Sequence, residues 1–297
     1  MKRVLALGGA GQNVPPRPGE PPPADGARRE DGPRGRLRWR AAFLALLALA
    51  AVVGALSVRP FGDSAGYLGF ADRRSLFGIA NFMDTISNAP WLVIGVVGLL
   101  FAWRTKPGAP GPFAEAWERI ACAAFFVAVA GVSIGSAYFH LEPTVGRLFW
   151  DRLPMTVAFM CLFALVIGDR IGSAAGRLLF LPLVVLGAAS AIWWRHTAAA
   201  GAPDLRLYAL VQYFPMAAIP AMLILFPGRY TQVRALWGAL GCYVLAKLFE
   251  LADRPVFSIT GGLVSGHTLK HLSASAAALL LLVWLRRRRI RFSAQFC

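Results

Sequence analysis

The sequence predicts an all-α integral membrane protein, with a seven-helix transmembrane core and one additional N-terminal transmembrane helix. Three observations carry this prediction. Hydrophobic residues make up 57% of the 297, and the mean hydropathy is +0.56. Charged residues are only 15%, where soluble domains run at roughly 25%. The apolar residues also gather into runs close to the ~20 residues that cross a bilayer as helix. Against this, 31 Lys and Arg face 15 Asp and Glu, a net +16. A soluble nucleic-acid binder spreads such charge over a water-facing surface. A disordered chain lacks the apolar content. Both classes are excluded, and the charge is expected at termini and loops.

In chain order, residues 1–40 are rich in Pro, Gly and Arg and read as a disordered arm. The opening MKRVLALGGAGQ resembles a strand and glycine turn, but no βαβ unit follows, so it carries no nucleotide site. An anchor helix is expected over 41–59, then a membrane domain over 60–286, then a basic tail over 287–297. The eight spans are placed at 41–58, 84–103, 118–140, 152–168, 177–194, 206–226, 233–251 and 267–285. The long basic leader and the lack of a small-residue cleavage site make the first span an uncleaved anchor. An even number of spans puts both basic ends on one side. The short loops holding Arg104, Lys106, Arg170, Arg177, Arg229 and Arg234 fall on that same side. The positive-inside rule makes it cytoplasmic, so the expected location is the cell (inner) membrane with both termini inside. Of the four cysteines, Cys122, Cys161 and Cys242 sit in apolar runs and read as buried thiols, and Cys297 ends the chain.

Polar groups within a membrane are costly and mark function by default. His267 and His271 stand four apart in GHTLKH, on one face of a helix, the spacing of paired zinc ligands. His140 ends the third span, at the same membrane face. Three imidazoles at one depth form a zinc site with a fourth position open. Ser136 is one turn deeper than His140 on the same face, and Asp151 opens the fourth span. A carboxylate there can accept a proton from water, and a hydroxyl can donate to the oxyanion of carbonyl attack. These are the parts for metal-assisted hydrolysis of an amide or ester, on the outer face.

At this point the residues resemble a known family. SAYFH, an Asp eleven residues after the His, and a late HxxxH opening the last span are similar to the alkaline ceramidases. These belong to a superfamily of seven-helix membrane hydrolases that also includes adiponectin-receptor-type proteins. NFMDTISNAPWLV and DRLPM resemble the start of the family's first core helix and the segment around its catalytic Asp. The similarity covers about residues 60–285. It implies His140, His267 and His271 as zinc ligands, Asp151 acting on the catalytic water and Ser136 stabilising the transition state. It implies cleavage of the N-acyl amide of ceramide to a sphingoid base and a fatty acid, a step of sphingolipid metabolism. It also implies a calcium site, for which YLGFADRRSLFGIANFMD offers Asp72, Asn81 and Asp84, fewer ligands than the family's acidic cluster.

Plainer roles stand beside these. Ser136 lies among small residues that let membrane helices approach. Asp151 also suits a helix N-cap, with Pro154 three residues on. His196 reads as an interfacial loop residue beside a Trp pair. Lys247 and Glu250, with Asp253 nearby, read first as a same-helix ion pair, with a role in holding the site or in proton transfer as the lesser alternative. RRRRIR reads as an anchor on anionic lipid heads. Rival functions are a lipid sensor reporting through the N-terminal arm, a transporter, which needs midplane polar groups, and a hydrolase of another acyl lipid. The expected partners are a lipid substrate and the membrane, with no nucleic acid.

Overall fold

The structure, a computed structural model, describes residues 33–63, 68–108 and 111–291. The expected disordered arm lies outside the described residues over 1–32, as does Cys297. The chain divides between Trp39 and Arg40, and residues 33–39, the described part of the first unit, are helical.

The described residues form ten helices and no strand: α1 (Pro33–Ser57), α2 (Phe82–Ile86), α3 (Ala89–Arg104), α4 (Ala116–Leu141), α5 (Val145–Arg170), α6 (Ser173–Ala199), α7 (Arg206–Leu225), α8 (Val233–Leu251), α9 (Asp253–Ile259) and α10 (Gly266–Arg287). Seven spans are long and apolar enough to cross a membrane, with α2 and α3 counted as one. The seventh expected span, at 233–251, is a bent pair, α8 and α9, which turn by 80° at Ala252. The protein is therefore all-helical, and its length and composition are those of a membrane protein.

Two boundaries differ from expectation. Helix α1 opens at Pro33, inside the segment read as arm. Helix α5 opens at Val145, because Thr144 is the N-cap and its hydroxyl accepts from the Arg147 N–H at 3.3 Å. Asp151 therefore sits inside the helix and does not cap it. Pro154 is likewise internal, and it packs against Gly131 of α4.

Helices α3, α4, α5 and α6 pack in sequence, α10 lies between α3 and α8, and α7 leans on α5 and α6. Helices α7 and α8 barely touch. Helix α1 keeps Leu46, Leu49, Val53 and Leu56 exposed, as a lipid-facing helix does. Without a hydrophobic drive between helices in lipid, close approach depends on small residues. At Gly135 a Cβ would overlap the Trp150 carbonyl and approach the Asp151 amide. At Gly98 it would enter the Phe126 ring, and at Gly95 it would meet Ala130. Gly135 thus brings α4 against α5 at the level of Ser136 and Asp151.

At the end of the bundle away from the histidines, Tyr230 donates to Glu118 at 2.7 Å, and Arg288 donates to the Pro112 carbonyl at 2.7 Å. The Arg288 guanidinium stacks 4.0 Å from the Tyr230 ring centroid and is fully buried. The tail is not simply a lipid-head anchor, since the third arginine of RRRRIR is folded into the core, where Glu118 at 3.8 Å and aromatic faces meet its charge. Cys122 and Cys161 are buried free thiols, as expected, and Cys242 is a half-buried one.

Overpacking a tight helix crossing costs about 1–3 kcal/mol. Gly135→Ala is therefore expected to lower the melting temperature of the detergent-purified protein. Gly241→Ala meets nothing within 4 Å and is expected to be neutral, or stabilising by up to about 1 kcal/mol. Thermal unfolding of the two variants checks the contrast.

Candidate metal centre

Ser136, His140, Asp151, His267 and His271 are all buried. Helix α4 supplies the first two from successive turns, α5 supplies Asp151, and α10 supplies the HxxxH pair. The three histidines each bring one ring nitrogen into a group whose atoms all lie within 4.8 Å of one another. His140 Nε2 and His267 Nε2 are 3.2 Å apart. Two nitrogens on one tetrahedral zinc, each at about 2.05 Å, stand roughly 3.3 Å apart. Among the described residues this is the one group of three or more His, Cys, Asp or Glu placed to hold a metal ion.

The histidines are held from behind. Ser87 Oγ donates to the Asp84 carbonyl at 3.1 Å and contacts His271 Nδ1 at 2.8 Å. A hydroxyl has one proton, so here it accepts from Nδ1–H. That tautomer leaves the Nε2 lone pair for the cluster, the arrangement by which outer groups orient metal-binding imidazoles. The Asn81 amide donates to the His140 carbonyl at 2.7 Å, while His140 Nδ1 is buried without a hydrogen-bond partner. Gly266 starts α10 where a Cβ would strike the Phe249 carbonyl and the Asp253 backbone, so α10 abuts the α8–α9 bend. Asp253 there accepts from the His267 N–H at 2.8 Å and from the Ala71 N–H at 2.9 Å. One carboxylate thereby ties the start of α10 to the segment before α2. That segment lays Phe70 on the rings of His140 and His267, with centroids 4.8 and 4.5 Å away. An imidazole cluster under an aromatic cap, closed to water on that side, suits a bound divalent metal.

Ser136 faces the Asp151 carboxylate across the α4–α5 contact. Ser136, Asp151 and His271 line one end of a cavity of about 330 Å³. Toward the rest of the cavity the lining turns apolar, through Phe125, Val129, Phe159, Leu162 and Leu281. Lys247, Glu250 and Lys270 also face its polar end. The Lys247–Glu250 ion pair exists at 2.7 Å, and Glu250 takes a second cation, Lys270, at 2.7 Å.

Asp72, Asn81 and Asp84 are each engaged by a different part of the protein. Both Asp72 oxygens accept from Arg74, at 2.8 and 2.6 Å. Burial works against ionisation of Asp72, yet these bonds hold its carboxyl below the usual range. Asn81 uses its amide N–H on the His140 carbonyl, and Asp84 Oδ1 accepts from Thr268 and Ser265 at 2.7 and 3.0 Å while its Oδ2 is buried without a hydrogen-bond partner. Each residue serves a different partner, and a cation already occupies the first. His196 is exposed on the last turn of α6, away from the cluster.

The sequence does not single out Ser87, Phe70 or Lys270, whereas Asp253 holds the start of α10, the alternative role given for it above. Ser87 and Phe70 carry no spacing signal, whereas Lys270 stands inside GHTLKH and was legible there as an intramembrane charge. No protein-family model matches the chain, and no curated protein matches it.

Removing an outer-shell partner of a metal-binding His weakens metal affinity about 10–100-fold. Ser87→Ala is expected to show that loss in competition against a chelator, and His271→Ala a larger one. Equal retention by wild type and both variants would contradict this site.

Proposed function

We propose that this chain is a zinc-dependent intramembrane amidohydrolase of the alkaline ceramidase type, which cleaves the N-acyl amide of ceramide-like lipids. One observation carries the reading. A three-imidazole cluster, a carboxylate and a hydroxyl meet at one end of a cavity whose other end is apolar. Such a cavity suits an acyl chain with its polar linkage at the reacting groups. The order and spacing of SAYFH, Asp151 and HxxxH support the family reading.

His140, His267 and His271 would hold the metal. All-imidazole donors with an open position suit zinc. Bound there, zinc supplies Lewis acidity and makes water a better nucleophile near neutral pH. The chain's residues supply the rest. Asp151, steadied by Ser136, accepts the proton of the attacking water. As the C–N bond breaks, it passes that proton to the leaving nitrogen, giving an amine and a fatty acid. Ser136 turns its single hydroxyl proton toward the oxyanion as charge develops there. The apolar wall holds the chain and keeps bulk water from the reacting carbonyl.

The sensor reading needs an output module, and the described residues contain none beyond the bundle. A transporter needs polar groups deep within the spans, whereas these gather at one end of the bundle. The site is read as facing the outer side of the cell membrane.

The test is incubation of the detergent-purified protein with a panel of N-acyl lipids. Fatty-acid release is expected, lost on chelation and restored by zinc. Asp151→Asn is expected to retain the metal and lose activity by about 10²–10⁴-fold. Full activity in His267→Ala would sink the reading.

A further inference from the structure

Six charged side chains line the cavity: Asp63, Asp151, Arg152, Lys247, Glu250 and Lys270. Three are acidic and three basic, so the wall is balanced. Five of the six come from α5, α8 and α10. Asp63 does not. It belongs to residues 58–63, which follow α1, and without it the core helices carry one cation too many on this wall. The pair it completes is specific. Arg152 Nη1 donates to Asp63 Oδ2 at 3.1 Å, and Nη2 donates to Oδ1. The Arg152 side chain is only 3% exposed, and its guanidinium lies 4.1 Å from the Trp194 ring centroid and 5.0 Å from that of Tyr208. An arginine stays charged when buried, so it must meet a carboxylate. The segment that delivers Asp63 is pinned along its length. Arg206 donates to the Val58 carbonyl at 3.2 Å, and the Leu205 N–H donates to the Phe61 carbonyl at 2.9 Å. At Gly62 a Cβ would overlap the Pro203 ring.

Arg152 directly follows Asp151 in α5, and both line the cavity. With Asp63 in its fork, the guanidinium leaves Asp151 to the reacting groups. Without Asp63, two carboxylates remain on the wall. Glu250 is already held by Lys247 and Lys270, at 2.7 Å each, so Asp151 is the one left to answer Arg152. We propose that Asp63 is a positioning residue for the site: by occupying Arg152 it keeps the Asp151 carboxylate available to the water and the amide. The segment after α1 is then part of the site and not only the continuation of an anchor. The inference rests on the hydrolase reading for the task of Asp151, but the pairing itself is tested without turnover.

Two measurements on the full chain in detergent test it. The first is turnover of the N-acyl lipid panel. Asp63→Asn is expected to lower kcat about 10–100-fold, with KM changed by no more than about twofold and bound zinc retained. Asp63→Glu keeps the charge and is expected to keep most of kcat. Adding Arg152→Gln to Asp63→Asn is expected to restore most of kcat, because no cation is left to capture Asp151. A double variant as slow as Asp63→Asn, or an Asp63→Asn protein as fast as wild type, overturns the proposal. The second measurement is thermal unfolding after chelation. Asp151→Asn is expected to lower the melting temperature by about 5 °C more in the Asp63→Asn background than in wild type, because there it removes the partner of Arg152. An equal fall in both backgrounds overturns the proposal. If Asp63→Asn does not fold, Arg152→Lys replaces it in both measurements, with Arg152→Gln as its rescue, since lysine keeps the cation and loses the two-point grip. If the wild type hydrolyses no N-acyl lipid, the hydrolase reading falls, and the thermal comparison alone decides whether Asp63 holds Arg152 off Asp151.

Discussion

Three buried imidazole nitrogens facing one another are the constraint on which the rest of the structure depends. Neutral imidazoles that converge through lone pairs repel, and burial removes the water that would relieve them. The arrangement holds only if something else fixes each ring and a cation can satisfy the lone pairs. Ser87 fixes the tautomer of His271, and Asp253 fixes the start of the helix that carries His267. Asn81 ties the His140 carbonyl to the turn before α2. Ser87 and Asn81 hold histidines 184 and 59 residues away, so the bundle must form before the cluster does.

The glycines explain how the bundle permits this. Gly135 lets α4 and α5 approach until Ser136 reaches Asp151, and Gly266 lets α10 begin against the α8–α9 bend. The bend is functional geometry, because an unbroken α8 would carry Asp253 past the level of His267. The cavity then extends from these residues into the apolar half of the bundle, beside the α7–α8 seam, where packing is lightest. In the proposed reading, the reacting groups and the space for an acyl chain share one wall.

Much of this was legible in the residues. Apolar runs locate the helices, since length and composition alone decide what crosses a bilayer. The HxxxH spacing puts His267 and His271 on one face, and the end of the third span places His140 at the same level. The position of Asp151 was right in space but wrong in its local role, because Thr144 captured the cap seven residues earlier. Arg288 was misread because an arginine run looks the same whether it faces lipid heads or aromatic rings. Ser87 was illegible as a support, because a hydrogen bond across 184 residues leaves no mark on local pattern. Asp72 and Asn81 looked like cation ligands by type alone, and their partners, Arg74 and the His140 carbonyl, appear only in the fold.

The account stands on a metal held by three imidazoles, and X-ray absorption at the zinc edge of the purified protein addresses it most directly. The predicted result is a zinc spectrum with a first shell of nitrogen and oxygen at about 2.0–2.1 Å and outer scattering from three imidazole rings. A protein without zinc, or zinc with a sulfur shell at about 2.3 Å, would contradict it.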